Sequence, residues 1–335
     1  MLSENVVETD VLVIGGGIAG CFAAIKAREQ GLDVTIVDKG YAGKSGASIA
    51  ANRSYMVFNP EWDLDFDTCM NEITKLGEYI NNREWGEIIL KDSWATYQDL
   101  VSWGVEFPPD ALKFVKECAP FGTIRLLYRK LSPALRRQAE KVGVKIMDRI
   151  MIAELLKQGG KVTGAISFPM DSYDLYIFKA KATVMSSGSN SFKPSGYPVS
   201  MLTGDAEAMA YRAGAEITGK EFPDTHTTNA RYPSAWTACI SRGLLGPLPY
   251  FTDAEGQRYA SFLPPAQPDP SRTRFEADLS MEFVVHAGRG KIYWDFDAVA
   301  PEDVDELLYN CQQAFGSPME HREPGLEVRR TGKIS

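Results

Sequence analysis

Gly15, Gly16, Gly17 and Gly20 fall in the run VIGGGIAG with the spacing G-x-G-x-x-G. Glycines at these places allow a tight turn off a strand, close approach of a phosphate to the backbone, and tight packing of a helix on a sheet. Ile18 and Ala19 open the helix that follows, so free N–H groups and a positive dipole end face whatever lies over the turn. Asp38 ends the next apolar run, where a carboxylate accepts hydrogen bonds from both hydroxyls of a ribose. The pattern predicts a dinucleotide site, and by itself it does not choose between a flavin and a nicotinamide. The stretch from Lys39 to Ala51 is small and polar. Lys44, Ser45, Gly46, Ala47 and Ser48 could cradle phosphates or a ring system through amides and hydroxyls, or form only a surface loop. Asp205, in the first turn of a later helix, either caps that helix or faces a bound cofactor. Among three histidines, His226 is the candidate for binding an anion and moving a proton near neutrality. His286 lies in an apolar helical run and reads as structural, and His321 in a charged tail reads as solvated.

The elements that must position these residues follow from periodicity. Val11 to Ile14 and Val34 to Val37 are short apolar runs rich in β-branched residues, expected as buried parallel strands, with a helix from Ile18 to Gln30 stopped by Gly31. Residues 65 to 104 predict two helices broken at Asn81-Asn82, with an apolar stripe of Leu76, Ile80, Ile88, Ile89, Tyr97, Leu100, Val101 and Trp103. Trp85, Trp94 and Trp103 are expected to pack in a core. Ser132-Pro133 predicts a helix start, with serine as cap and proline at the first position, running to about Val142. Its Arg136, Arg137 and Lys141 read as a solvated face. Strands are expected at Val144–Met147 and Met151–Leu156, a hairpin at Val162–Phe168 and Tyr173–Phe178, and a separate buried strand at Ala182–Met185 leading into Ser186-Ser187-Gly188. A helix at Ala206–Ala213 ends at Gly214. From about Glu221 the texture changes to Pro, Gly, Thr and aromatic residues.

Composition bounds the function. The formal net charge of −8 argues against non-specific nucleic-acid binding, and no apolar run approaches the ~20 residues that span a bilayer. The first ten residues lack a basic region and a long apolar region, so a secretory signal is not expected. Five scattered cysteines without C-x-x-C and three histidines argue against an iron–sulfur cluster or metal site in this chain and fit reduced thiols in the cytoplasm. Cys21 is expected as a small buried residue against the sheet.

Several blocks together resemble the succinate dehydrogenase / fumarate reductase flavoprotein superfamily, which includes the adenylylsulfate reductase alpha subunit. They are VLVIGGGIAG, Asp38-Lys39, KSGASIAA, KVTGAISF with YIFKAKATVMSSG, and TGDAEAMAYRAGAEITGKEF. The resemblance implies FAD, with phosphates over Gly15–Gly20, the ribose on Asp38 beside Lys39, the isoalloxazine near Ser45–Ala51, further contacts at Ser187 and Gly188, and Asp205 toward the flavin side chain. It implies an α/β fold: a Rossmann-like FAD-binding domain, a parallel sheet with a β-meander, over residues 1–220 with a helical insertion at about 60–130, and an inserted, incomplete α+β capping domain over 221–335. Covalent members attach FAD through a histidine in a Ser-His-Thr loop; here Gly46-Ala47 stand there, so non-covalent FAD is expected, in a form closer to the adenylylsulfate reductases. His226 aligns with a histidine that contacts a substrate carboxylate. The catalytic arginine is not found: its place aligns with Ala277-Asp278, and only Arg272 or Arg274 could reach in. The late glycine-rich segment that closes over the flavin is not found in residues 288–335, so the expectation is a shortened form or a fold completed by another polypeptide. The resemblance implies the flavoprotein subunit of an oxidoreductase that acts on a small molecule with an iron–sulfur partner. The alternatives are an electron-transfer or scaffold subunit without a substrate site, or an adenylylsulfate-reductase-like subunit.

Overall fold

The structure is a computed structural model describing residues 4–50, 54–77, 79–108, 122–125, 130–188 and 202–220, with four short strands between 250 and 334. The chain separates into two compact units, Met1–Phe192 with Pro198–Phe222, and Lys193–Tyr197 with Pro223–Ser335.

The first unit is built on a six-stranded mixed sheet. Its strands are β1 (Glu4–Ile14), β2 (Val34–Asp38), β5 (Lys145–Asp148), β6 (Ile150–Gln158), β7 (Lys161–Pro169) and β8 (Leu175–Met185). The order is β5-β2-β1-β8-β7-β6. The first four in that order run parallel, and β6, β7 and β8 form an antiparallel meander. Helix α1 (Ile18–Glu29) connects β1 to β2. A two-stranded antiparallel ribbon, β3 (Ser54–Val57) with β4 (Gly122–Arg125), accompanies α2 (Phe66–Leu76) and α3 (Arg83–Ser102). Helix α4 (Leu131–Lys141) precedes β5, and α5 (Asp205–Ala213) follows β8.

The continuous apolar run of β1 is explained by burial of both sheet faces. Val11 and Val13 point to one face, where Cys21, Ala24 and Ile25 of α1 and Leu131, Ala134, Leu135 and Ala139 of α4 cover them. Leu12 and Ile14 point to the other, against Ile150, Ile152, Leu155, Ala165 and Phe178 of the meander and Ala206 and Met209 of α5. In the second unit, β9 (Tyr250–Thr252), β10 (Arg258–Tyr259), β11 (Tyr293–Asp295) and β12 (Lys333–Ile334) form a four-stranded antiparallel sheet of order β10-β9-β11-β12.

Several expectations change. The hairpin's second strand and the separate strand at Ala182–Met185 are one strand of 11 residues, because β1 pairs with it from Leu175 to Met185. Lys179 and Lys181, between the two predicted runs, project to carboxylates of β1: Lys179 to Glu8 at 3.3 Å and Lys181 to Asp10 at 2.6 Å. Strand β1 correspondingly begins at Glu4 rather than Val11. Ser132 is not a cap: the cap position of α4 is Lys130, and Ser132 lies within the buried side of the helix with its hydroxyl unpartnered. Asn82 does cap α3, accepting from Trp85 N–H at 3.0 Å. The inward face of α3 carries Leu90, Ser93 and Leu100, whereas Ile80, Ile88, Ile89, Val101 and Trp85 are exposed. Trp94 packs with Trp62 and Tyr97, and Trp103 with Phe22.

Candidate cofactor site

The C-terminal ends of β1, β2, β5 and β8 lie at one edge of the sheet, and most of the predicted residues gather there. Gly15 leaves β1 with φ +101°, a left-handed conformation that a β-carbon opposes; a Cβ there would also meet the Ser186 carbonyl oxygen at 2.6 Å. At Gly20 the reason is proximity: its missing Cβ would lie 1.9 Å from the Gly15 oxygen. Helix α1 thus starts directly against the strand end.

Asp38 organises the turn. Its Oδ2 accepts from Gly16 N–H at 2.7 Å and its Oδ1 from Gly40 N–H at 2.7 Å. The Ser45 hydroxyl lies 3.2 Å from Oδ1. A carboxylate offers about four lone-pair positions, so acceptor capacity remains for ribose hydroxyls. The segment that follows is folded over the glycines rather than splayed: Gly43 N–H donates to the Gly16 carbonyl at 2.8 Å, and Ser48 Oγ accepts from Ile18 N–H at 3.2 Å. Ala47 and Ser48 belong to a short 3-10 turn, Ala47–Ala50, while Lys44 is exposed. Ala51 lies outside the described residues.

Lys39 and Asp205, predicted separately, are brought together. Lys39 Nζ donates to the Thr203 hydroxyl at 3.2 Å and stands 3.6 Å from Asp205 Oδ2. The Thr203 hydroxyl also bonds the Asp205 carboxylate. Asp205 is therefore in the first turn of α5 rather than its cap, which is Gly204. Ser187 and Gly188 are exposed just beyond β8. His226, His286, His321, Arg272, Arg274 and Ala277 lie outside the described residues.

Sequence reasoning missed four supports. Asp148, opposite Asp38 in the β2–β5 register, accepts from Ala42 N–H at 2.8 Å. Arg136 is not on a solvated face: with 19% side-chain exposure it bonds both Asp148 oxygens, at 3.1 and 2.8 Å, and the Ala42 carbonyl at 3.0 Å. Arg149, at φ 62°, donates its N–H to the Gly40 carbonyl at 2.9 Å. The Ser186 hydroxyl donates to the carbonyls of Ile14, at the end of β1, and Gly15, just beyond it. One signal was available: Asp148 ends its strand as Asp38 does. Cys21 is buried as expected, and desolvation, with the Asp38 charge second, pushes its thiol up to about 12. It is an inert packing residue.

The start of α1 fits a bound diphosphate. α2 and α3 begin with Asp65 and Asn82 side-chain caps and carry an acid in the first turn. α1 begins at Gly17 with no side-chain cap and no first-turn acid. Its dipole and the first-turn amides beyond Ile18, whose N–H goes to the Ser48 hydroxyl, are left for an external anion. A groove of about 710 Å³ lies elsewhere, along Glu8, Asp10, Lys179 and Lys181. It is open and lined by ion pairs already made, whereas the glycine turn supplies unused donors, so the turn is the better candidate.

A family model described as an FAD binding domain matches residues 10–290, and the chain belongs to that family. The choice that the glycines left open therefore falls on FAD. The chain is similar to a fumarate reductase (CoM/CoB) subunit of Methanothermobacter marburgensis, 27% identical over 329 residues, covering 92% of this chain and 59% of that protein. It is 24% identical over 332 residues to the succinate dehydrogenase flavoprotein subunit of Rickettsia bellii, covering 91% and 55%. A solved structure of adenylylsulfate reductase from the hyperthermophile Archaeoglobus fulgidus shares the fold, with TM-score 0.69 and 21% identity over 100% of this chain and 58% of that one. The chain spans between 55% and 59% of the length of these proteins. Among the described residues, no helix is long and apolar enough to cross a membrane.

Proposed function

We propose that the chain is the FAD-bearing part of an oxidoreductase flavoprotein subunit of the fumarate reductase / succinate dehydrogenase type, working in the cytoplasm with an iron–sulfur partner. The glycine turn from β1 into α1, held by Asp38, in a chain of the FAD binding domain family, carries this reading. The first-turn amides of α1 beyond Ile18 and the proton of the Ser48 hydroxyl hold the diphosphate, Asp38 accepts from the ribose, and the Lys39–Asp205 pair borders the site. Gly46 and Ala47 stand where covalent relatives bring a histidine, so FAD is held by non-covalent contacts. Bound FAD supplies hydride or one-electron transfer. Residues 1–220 form the FAD domain and 221–335 belong to a capping domain, from which His226 binds a substrate anion and moves a proton, with Arg274 as the nearest counterpart of the missing arginine.

A second reading, an electron-carrying or scaffold subunit without a substrate site, is favoured by Ala277-Asp278 at the position where the resemblance calls for an arginine. One experiment separates them. The purified chain is acid-precipitated to test flavin release, and its reduced flavin is challenged anaerobically with fumarate, enoyl acids, adenylylsulfate, and a reducible iron–sulfur protein. Release of flavin and reoxidation by a small acceptor support the first reading, and adenylylsulfate alone would place the chain with the adenylylsulfate reductases. Reoxidation by the iron–sulfur protein alone supports the second. Flavin that stays with the precipitate overturns non-covalent binding, and a chain that takes up no flavin overturns both.

A further inference from the structure

We propose that Ser186 is a positioning residue of the FAD site, locking the Gly15–Gly16 peptide in the orientation that diphosphate binding requires. The inference rests on the FAD reading above. Rotation of this peptide is governed by one torsion in Gly15 and one in Gly16, and neither residue has a β-carbon to resist it. A glycine–glycine peptide flips easily unless something outside it holds both ends. Here both ends are held. The N–H end, on Gly16, donates to Asp38 Oδ2 at 2.7 Å. The carbonyl end, on Gly15, lies 3.0 Å from Ser186 Oγ, which is also 3.1 Å from the Ile14 carbonyl and shares its one proton between them.

The position of the serine is itself fixed. Its backbone N–H donates to the Ile14 carbonyl at 2.8 Å, continuing the parallel pairing of β8 with β1 past the end of the strand. The Gly15 oxygen is thereby held in the notch left by Gly20, whose missing Cβ would lie 1.9 Å from it and 2.7 Å from Ser186 Oγ. A flipped peptide would set a carbonyl oxygen against the Asp38 carboxylate and lose both bonds. It would also turn the negative end of one peptide dipole toward an anion at the helix start. Ser186 and Asp38 therefore build the cradle before the cofactor arrives, and Asp38 does so in addition to receiving the ribose.

Removing the hydroxyl removes one neutral hydrogen bond, worth ~0.5–1.5 kcal/mol, or roughly 2- to 13-fold in an equilibrium. Ser186→Ala keeps the backbone bond to Ile14, so the sheet remains paired. The test measures dissociation constants of FAD and ADP for the apoprotein, hydrogen exchange of the Gly15–Gly17 segment, and the apoprotein melting temperature, in wild type and Ser186→Ala. The expected result is FAD and ADP binding weakened by the same several-fold factor, faster exchange confined to that segment, and a melting temperature lowered by no more than a few degrees, as the loss of one hydrogen bond implies. Equal affinities in the two proteins overturn the proposal while leaving the FAD reading in place. Earlier melting with faster exchange across the whole sheet reduces Ser186 to a structural residue and also overturns it. A wild-type chain that binds neither FAD nor ADP overturns the FAD reading, and the proposal with it.

Discussion

Gly20→Ala and Gly86→Ala place the same methyl group on two helices and should have opposite effects. Helix propensity alone favours alanine at both, by about 1 kcal/mol. At Gly86 in α3 the added Cβ meets Met70 Cε at 3.4 Å and Ile73 Cγ2 at 3.7 Å, ordinary contact with movable side chains. At Gly20 in α1 it meets the Gly15 carbonyl oxygen at 1.9 Å and Ser186 Oγ at 2.7 Å. The carbonyl cannot rotate aside, so α1 must withdraw from the strand end and loosen the packing of Cys21, Ala24 and Ile25, none more than 1% exposed. Overpacking costs ~1–3 kcal/mol, and we take the upper end because backbone must move. Subtracting the propensity gain leaves Gly20→Ala less stable by about 2 kcal/mol, while Gly86→Ala gains about 0.5–1 kcal/mol. With a slope of ~2–3 kcal/mol per molar urea, the Gly20→Ala midpoint falls by roughly 0.7–1 M. Urea unfolding followed by far-UV circular dichroism reads both variants. A Gly20→Ala protein as stable as its parent, or equal losses in the two variants, would refute the close approach of α1 to β1.

Asp148→Ala leaves the Arg136 guanidinium partly buried and the Ala42 N–H without its acceptor. Breaking a fully buried pair costs ~3–5 kcal/mol; discounted for partial exposure, the loss should be about 1–2 kcal/mol, with weaker FAD retention, both read by thermal melting with and without added FAD. The Asp65 carboxyl is held below its ordinary value first by the Thr68 hydroxyl and then by the Thr68 N–H. A depressed carboxyl stabilises the fold above its unfolded value, near 3.8, and the contribution is lost as pH falls through the lower folded value. Asp65→Asn should therefore narrow its stability difference from the parent as the pH falls below about 4; a constant difference in acid melting curves would contradict the cap. With its thiol near 12, Cys21 should stay unalkylated in the folded protein at pH 8 and react after denaturation, as peptide mass spectrometry will show.

The βαβ unit was legible because its signals are local: a β-branched run, glycines at fixed spacing, a helix stop and an acid at a strand end. The break between α2 and α3 was legible for the same reason, since Asn82 is a capping residue wherever it stands. Strand β8 reads locally as two runs, Tyr173–Phe178 and Ala182–Met185, and only its pairing with β1, where Glu8 and Asp10 face Lys179 and Lys181, joins them. Ser132 was misread because a Ser-Pro pair is a local capping signal, and burial against the sheet overrode it. Arg136 looked solvated because its partner, Asp148, belongs to another element. The exposed Ile88 and Ile89 of α3 show the converse: apolar spacing proposes a buried face, and only the neighbouring elements select which residues occupy it.

The sequence by itself determined that a glycine turn joins β1 to α1 and that Asp38 ends β2, because glycine and aspartate act there through backbone geometry and hydrogen-bonding capacity that need no distant partner. The tertiary structure decided how the turn is held. Asp38 grips the Gly16 amide, Ser186 grips the Gly15 carbonyl, Arg136 and Asp148 hold Ala42, and Lys39 meets Asp205. Each of these contacts joins segments far apart in the chain, and the parallel register of β1, β2, β5 and β8 brings them to one sheet edge.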